Sequence, residues 1–123
     1  LKDYPIDTPL IPHGLSVAIS APSIFNFTSK SNPKRHVDVT KALGYEDANE
    51  ENVELLLPRA IKNIMSAIGM PTKLKDLGYQ ESDIDKLVEG TIPQHRVTKL
   101  SPIEITATDI KNLFLKSLDD SWI

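Results

Sequence analysis

No cysteine occurs among the 123 residues, which excludes disulfides, thiolate zinc sites and cysteine nucleophiles and suits a reducing compartment. No apolar run reaches the roughly 18 residues that a membrane span needs, so we expect no membrane partner. An excess of basic charge is also missing, because 14 Lys and Arg residues stand against 17 Asp and Glu residues, a net charge of −3. This balance argues against nucleic acid as a partner.

Glycine is scarce as well, with five residues in the chain. Four of them follow predicted helices and are explained as helix stops: Gly44, Gly69, Gly78 and Gly90. The fifth, Gly14, adjoins a histidine. The sequence therefore contains no glycine-rich phosphate loop, and we expect no cofactor-binding residue here. The pyrophosphate of a dinucleotide would rest on another segment of polypeptide.

Helical patterns account for nearly all of the remaining sequence. Hydrophobic residues make up 40% and charged residues 25%, as in an ordinary globular domain. The start and stop signals predict one compact all-α domain over residues 1–123, a bundle of about six or seven helices, several of them short. The clearest period lies between Val53 and Ile68, with these apolar positions: Val53, Leu56, Leu57, Ala60, Ile61, Ile64 and Ile68.

Individual boundaries follow from capping residues. Residues 1–11 predict an irregular lead-in, and His13 to about Thr28 is apolar on almost every side, which predicts a buried helix. Asn32-Pro33 predicts a helix start, with Val39, Ala42 and Leu43 facing inward. Thr108-Asp109 predicts the cap of the last helix. Lys62 is expected on the outer side of its helix.

His13 is the candidate metal ligand, because imidazole binds metals such as iron and zinc and Pro12 restricts the backbone before it. On local sequence alone, a surface histidine at a helix end is the favoured interpretation. A metal needs three or four converging ligands, and His36 and His95 form no ligand pair with a neighbour. The co-ligands of His13 are therefore expected elsewhere, and no catalytic residue is identified.

Three segments resemble the iron-containing alcohol dehydrogenase family. Pro12-His13-Gly14, followed by Ala18, Pro22 and Asn26, is similar to the family segment that ends in a ligand histidine. Two further landmarks of the family also have counterparts. The first is a glycine-proline turn between helices, at residues 69–78, and the second is a proline followed by an acid-capped final helix, at residues 101–110. Two runs, residues 10–17 and residues 90–94 with 96–100, resemble those members that transfer a hydride between a hydroxyacid and an oxoacid.

The resemblance implies the C-terminal, metal-binding half of a two-domain enzyme with a dehydroquinate synthase-like helical fold. An N-terminal nucleotide-binding domain, absent from these residues, would be its partner. Fe(II) or Zn and NAD(P) would belong to the full-length enzyme, with none held by this chain alone, which would be inactive. His13 alone carries over as a metal ligand. The substrates would be small acids such as 4-hydroxybutyrate and 2-oxoglutarate. The enzyme would be mitochondrial and can form a homo-oligomer. Without the resemblance, the expected location is cytoplasmic.

Three alternatives stay open. The chain can belong to another iron-containing alcohol dehydrogenase, or it can be a non-enzymatic helical module whose Trp122-Ile123 tail packs on a partner. The third alternative is a nucleic-acid-binding domain, whose binding would depend on the salt concentration.

Arg96 and Lys99 are loop cations that can contact a substrate carboxylate, but a surface role is the favoured interpretation for both.

Overall fold

The computed structural model describes residues 11–123, so the predicted lead-in lies almost wholly outside the described residues. Within this range there are six α-helices and no strand: α1 His13–Thr28, α2 Pro33–Ala42, α3 Val53–Ala67, α4 Ile84–Thr91, α5 His95–Thr98 and α6 Ala107–Leu118. Short 3-10 turns occur at Ser29–Ser31, Leu74–Leu77 and Glu81–Asp83. None of the described helices is long and apolar enough to cross a membrane. The prediction of an all-α bundle is confirmed.

The first helix is the centre of the bundle. α1 packs against both α3 and α6, while α2 packs on α3 and α4 packs on α6. The buried core joins side chains from five elements: Ile19, Met65, Leu74, Ile84 and Leu118. α1 and α3 run antiparallel, because the C-terminal half of α1 meets the first turn of α3 and Ile19 meets Met65 near its end.

The amide of Asn26 holds three helices together. It is 4% exposed, donates from Nδ2 to the Glu54 carbonyl at 2.9 Å and accepts at Oδ1 from Lys116 Nζ at 2.6 Å. The Lys116 ammonium also lies 4.9 Å from the centre of the Trp122 ring, and Trp122 Nε1 donates to the Lys116 carbonyl at 2.6 Å. Trp122 therefore packs on its own domain.

Most predicted helix ends are confirmed. The Asn32 side chain accepts from the Arg35 N–H at 3.1 Å, and Pro33 is the first residue of α2. Gly44 follows α2 with a φ of 96°, a conformation that favours glycine because it has no Cβ. The stop predicted at Gly90 is wrong, since α4 continues through Gly90 to Thr91.

The inner face predicted for α2 is partly wrong. Val39 and Ala42 are exposed, whereas Thr40 is fully buried. A threonine can be buried here because its hydroxyl donates to the His36 carbonyl, one turn earlier, at 2.7 Å. The hydroxyl thus needs no partner from another helix.

Lys62 also differs from its prediction, because it is only 8% exposed and forms an ion pair with Asp120. The carboxylate comes from the segment after α6, and it also accepts from the Thr72 hydroxyl at 3.3 Å. Burial, with the charge of Lys73 adding to it, lowers the pKa of Lys62 from its ordinary value of 10.5. A period within one helix carries no information about a partner that lies 58 residues away in sequence.

The last helix begins two residues earlier than predicted. Thr106 is its N-cap, and Asp109 is the third helical residue of a reciprocal capping box. The Asp109 N–H donates to Thr106 Oγ1 at 3.2 Å, and Asp109 Oδ2 accepts from the Thr106 N–H at 2.9 Å and from its hydroxyl at 2.6 Å. The bond from the Thr106 hydroxyl to the carboxylate, followed by that from the Thr106 N–H, lowers the pKa of the Asp109 carboxyl.

We expect Thr106→Ala to lower the free energy of unfolding by about 1 kcal/mol at pH 7, because it removes this cap. Because the pKa of Asp109 is lowered in the folded state, its carboxylate stabilises the fold at pH values above the ordinary pKa of 3.8. This stabilisation is lost as the pH falls through the pKa of the folded state. The penalty should therefore stay constant from pH 7 to pH 4 and shrink below that range in denaturant titrations. Thr108→Ala is the control, and an equal loss there would place the cap at Thr108.

Asp120→Asn should lower the free energy of unfolding by about 1–3 kcal/mol, because it leaves the Lys62 ammonium buried without its counter-charge. The double variant Lys62→Met with Asp120→Asn should recover most of the loss, since neither charge then remains. Denaturant titration of the single and double variants checks this. Additive losses would contradict the pairing.

Candidate metal centre

His13 is the first residue of α1, and its imidazole is exposed to solvent. Pro12 precedes the helix with an extended backbone, at φ −54° and ψ 137°. The Ser16 N–H donates to the Pro12 carbonyl at 3.1 Å, and the Ser16 hydroxyl donates to the His13 carbonyl at 2.7 Å. The backbone of His13 is thus held in place, and its ring makes no hydrogen bond to any described residue.

The described part of the chain does not form a complete metal site around this imidazole. Among the side chains that the structure describes, no group of three or more His, Cys, Asp or Glu could hold a metal ion. Since a metal site needs three or four converging ligands, the described side chains do not complete a site around His13. The fit to a metal is therefore partial: His13 offers an accessible side chain on a well-held backbone, and a metal there would need further ligands from outside the described residues.

His36 serves a different purpose at the far end of α1. Its Nδ1–H donates to the Asn32 carbonyl at 2.8 Å, and its Nε2 lies 3.2 Å from the Thr28 hydroxyl. The ring also meets Phe25 edge-on, with 6.1 Å between ring centres. At a rise of about 1.5 Å per residue, α1 puts about 22 Å between its first and last residues, so His36 cannot share a metal with His13. No ligand role was predicted for it.

The two candidate cations define no anion site. Arg96 lies in α5 and Lys99 just after it, and both are exposed. Neither forms an ion pair with a described residue. Their favoured interpretation as surface residues agrees with this arrangement.

A groove between α1, α5 and α6 was missed by the sequence analysis. It encloses about 470 Å³ and is lined mainly by apolar side chains, among them Ile24, Phe27, Leu113 and Phe114. Ser23 and Ser117 line it too, and their buried hydroxyl oxygens lie 2.7 Å apart. None of its described lining residues carries a charge, so the groove offers no counter-charge to a carboxylate. Its elements are far apart in sequence, and no local pattern could have indicated it.

The fold and the site together define a helical domain that can present one imidazole at the start of its central helix. Residues 9–118 match a sequence model described as the Fe-containing alcohol dehydrogenase family, C-terminal. The chain belongs to this family, as the three landmark segments predicted.

Curated relatives agree with this assignment. The chain is 47% identical over 117 residues to a protein of Dictyostelium discoideum named probable hydroxyacid-oxoacid transhydrogenase, mitochondrial. The aligned region covers 94% of this chain and 21% of that protein. The chain is 39% identical over 119 residues to the hydroxyacid-oxoacid transhydrogenase, mitochondrial, of Bos taurus and 38% identical to that of Homo sapiens, each covering 95% of this chain and 26% of the relative. The chain thus spans about a quarter of the length of these relatives.

The environments of the His13 and His36 rings predict effects of different size on stability. In chelator-treated protein, His13→Ala should change the free energy of unfolding by less than about 0.5 kcal/mol, because the ring is exposed and has no described partner. His36→Ala should cost about 1–2 kcal/mol, because it removes two hydrogen bonds. Denaturant titration measures both values, and a large loss at His13 would show that its ring has a structural role.

Proposed function

We propose that this chain is the C-terminal, metal-binding part of a hydroxyacid-oxoacid transhydrogenase. The enzyme would move a hydride from a hydroxyacid such as 4-hydroxybutyrate to an oxoacid such as 2-oxoglutarate through a bound nicotinamide. The observation that carries this proposal is the 38–47% identity to proteins of that name across nearly the whole chain. Their names also support a mitochondrial location.

His13 would bind the metal, Fe(II) or Zn, together with ligands from upstream of this chain. A divalent metal bound there would act as a Lewis acid on the oxygen of the substrate hydroxyl or carbonyl group. The nicotinamide would lie on an N-terminal nucleotide-binding domain, because no glycine-rich phosphate loop occurs in this sequence. Catalysis would therefore require both domains, and the 123 residues alone should be inactive.

The part played by this chain is to position one ligand. The Ser16 hydroxyl bonds to the His13 carbonyl, and Pro12 limits the backbone before it, so the imidazole starts from a defined direction. The buried side chains of Ile19 and Asn26 fix α1, and with it the start of the helix at His13, relative to the core. A ligand held in advance loses little conformational entropy when it binds, which favours the bound geometry.

The test uses the whole protein that contains this chain. His13→Ala should lose most of the bound metal and at least about 100-fold of the hydride transfer from 4-hydroxybutyrate to 2-oxoglutarate, measured without added nicotinamide. His36→Ala, the same chemical change at the other end of α1, should keep metal and activity in the folded fraction. Unchanged metal in the His13 variant would refute the ligand assignment. Activity that needs added nicotinamide would instead favour another dehydrogenase of the family.

A further inference from the structure

The groove between α1, α5 and α6 has the size of a small-molecule site. It encloses about 470 Å³, within the range of about 300–1,000 Å³ that is typical of ligand pockets. A helix about 10 Å across has a cross-section of about 80 Å², so this volume would hold only about 6 Å of helix, roughly one turn. The groove is therefore better matched to a small molecule than to a helix of ordinary length.

The position of the groove separates it from the candidate metal ligand. Ser23 and Phe27 line the groove from α1, and the helix begins at His13. At a rise of about 1.5 Å per residue, these two residues lie about 15 and 21 Å along the helix from His13. A molecule seated between them and α6 would occupy a site apart from the candidate metal centre.

Apolar side chains at the rim of the groove are in contact with water. Ile24 is 41% exposed, Val97 is 56% exposed and Leu100 is 75% exposed. The sequence predicted an α1 that is buried on every side, and Ile24 departs from that prediction. An apolar molecule in the groove would remove part of this surface from water, which favours binding.

The lining of the groove disfavours a charged ligand. None of its described lining residues carries a charge. A carboxylate or an ammonium group would lose its hydration there without gaining a counter-charge, which is costly. The hydroxyacids and oxoacids of the proposed function therefore do not suit the groove, whereas an uncharged molecule does.

The buried serine pair in the groove offers hydrogen-bond acceptors rather than donors. The hydroxyl oxygens of Ser23 and Ser117 lie 2.7 Å apart. Ser23 Oγ also lies 3.0 Å from the Ser20 carbonyl oxygen, and Ser117 Oγ lies 2.9 Å from the Leu113 carbonyl oxygen. Both hydroxyl hydrogens are thus used within the protein. Each hydroxyl oxygen can accept two hydrogen bonds, so lone pairs are left on both.

We propose that the groove binds an uncharged molecule with an apolar body and one hydroxyl group, a small aliphatic alcohol. Its apolar body would lie between α1 and α6, against Phe27 and Leu113. Its hydroxyl would donate to the oxygen of Ser23 or Ser117. A carboxylate and an ether have no hydrogen to donate, so both should bind less tightly than the alcohol. This binding requires neither the metal nor the nicotinamide.

Three probes of similar size test the proposal in the whole protein that contains this chain. Hexanol carries the hydroxyl, dipropyl ether is its isomer without a donor, and hexanoate carries a charge. In saturation-transfer NMR titrations, hexanol should bind about fivefold more tightly than dipropyl ether, which corresponds to one hydrogen bond. Hexanoate should not displace hexanol. Equal binding of alcohol and ether would overturn the proposal, as would absence of hexanol binding because another segment or a second copy fills the groove.

Variants locate the binding within the molecule. Ile24→Trp should weaken hexanol binding at least about tenfold, because the indole ring displaces about two of its methylene groups from the groove. Val39→Trp, at a 46% exposed position of α2, is the matched control and should leave binding unchanged. Equal affinities in these two variants would contradict the assignment to the groove.

Two further variants keep the test decisive if the tryptophan variant does not fold. Ser23→Ala combined with Ser117→Ala should bind hexanol and dipropyl ether equally, because the acceptors are gone. A preference for hexanol that survives this change would overturn the role of the serine pair. His13→Ala should bind hexanol as tightly as the unaltered protein, whether or not it loses metal. Loss of hexanol binding in His13→Ala would place the alcohol at the metal and overturn the proposal.

Discussion

The packing of α1 against α3 and α6 is the constraint on which the rest of the structure depends. Ile19 takes part in the shared core, and the Asn26 amide bonds to both neighbouring helices. The hydroxyl pair of Ser23 and Ser117 adds a buried polar contact to α6. Since buried polar groups are costly unless they are paired, these contacts specify how α1 lies in the bundle as well as stabilising it. The position of His13 follows from that placement.

Capping chemistry explains why most helix boundaries could be predicted. Asn32 and Gly44 act through their own backbone neighbours, so a short window of sequence contains the whole cause. Thr106 acts in the same way, but Thr108 offers an equivalent hydroxyl, and only the bond to Asp109 decides between them. Gly90 was misjudged because a glycine within a helix costs only about 1 kcal/mol, which packing of α4 on α6 can offset.

The interior of the domain was harder to predict, because burial depends on partners distant in sequence. Lys62 is buried since Asp120 reaches it from beyond α6, and a helical period cannot show this. The candidate metal site was hard to predict for the same reason. His13 could be proposed as a ligand from its own segment, and it stays a proposal, whereas a metal site built from distant segments leaves no local pattern for its other ligands. The apolar groove, formed by three helices, was missed for this reason.

The contacts of α1 also have a consequence for synthesis. The hydroxyl bond between Ser23 and Ser117 spans 94 positions, and the bond between Asn26 and Lys116 spans 90. At about 5–20 residues per second, a ribosome would take about 5–20 s to produce α6 after α1 has been made. Throughout that interval an uncharged helix lacks one of the two neighbours that bury it. The same apolar composition that later fixes α1 in the bundle therefore leaves hydrophobic surface uncovered on the nascent chain, which favours aggregation until α6 is made.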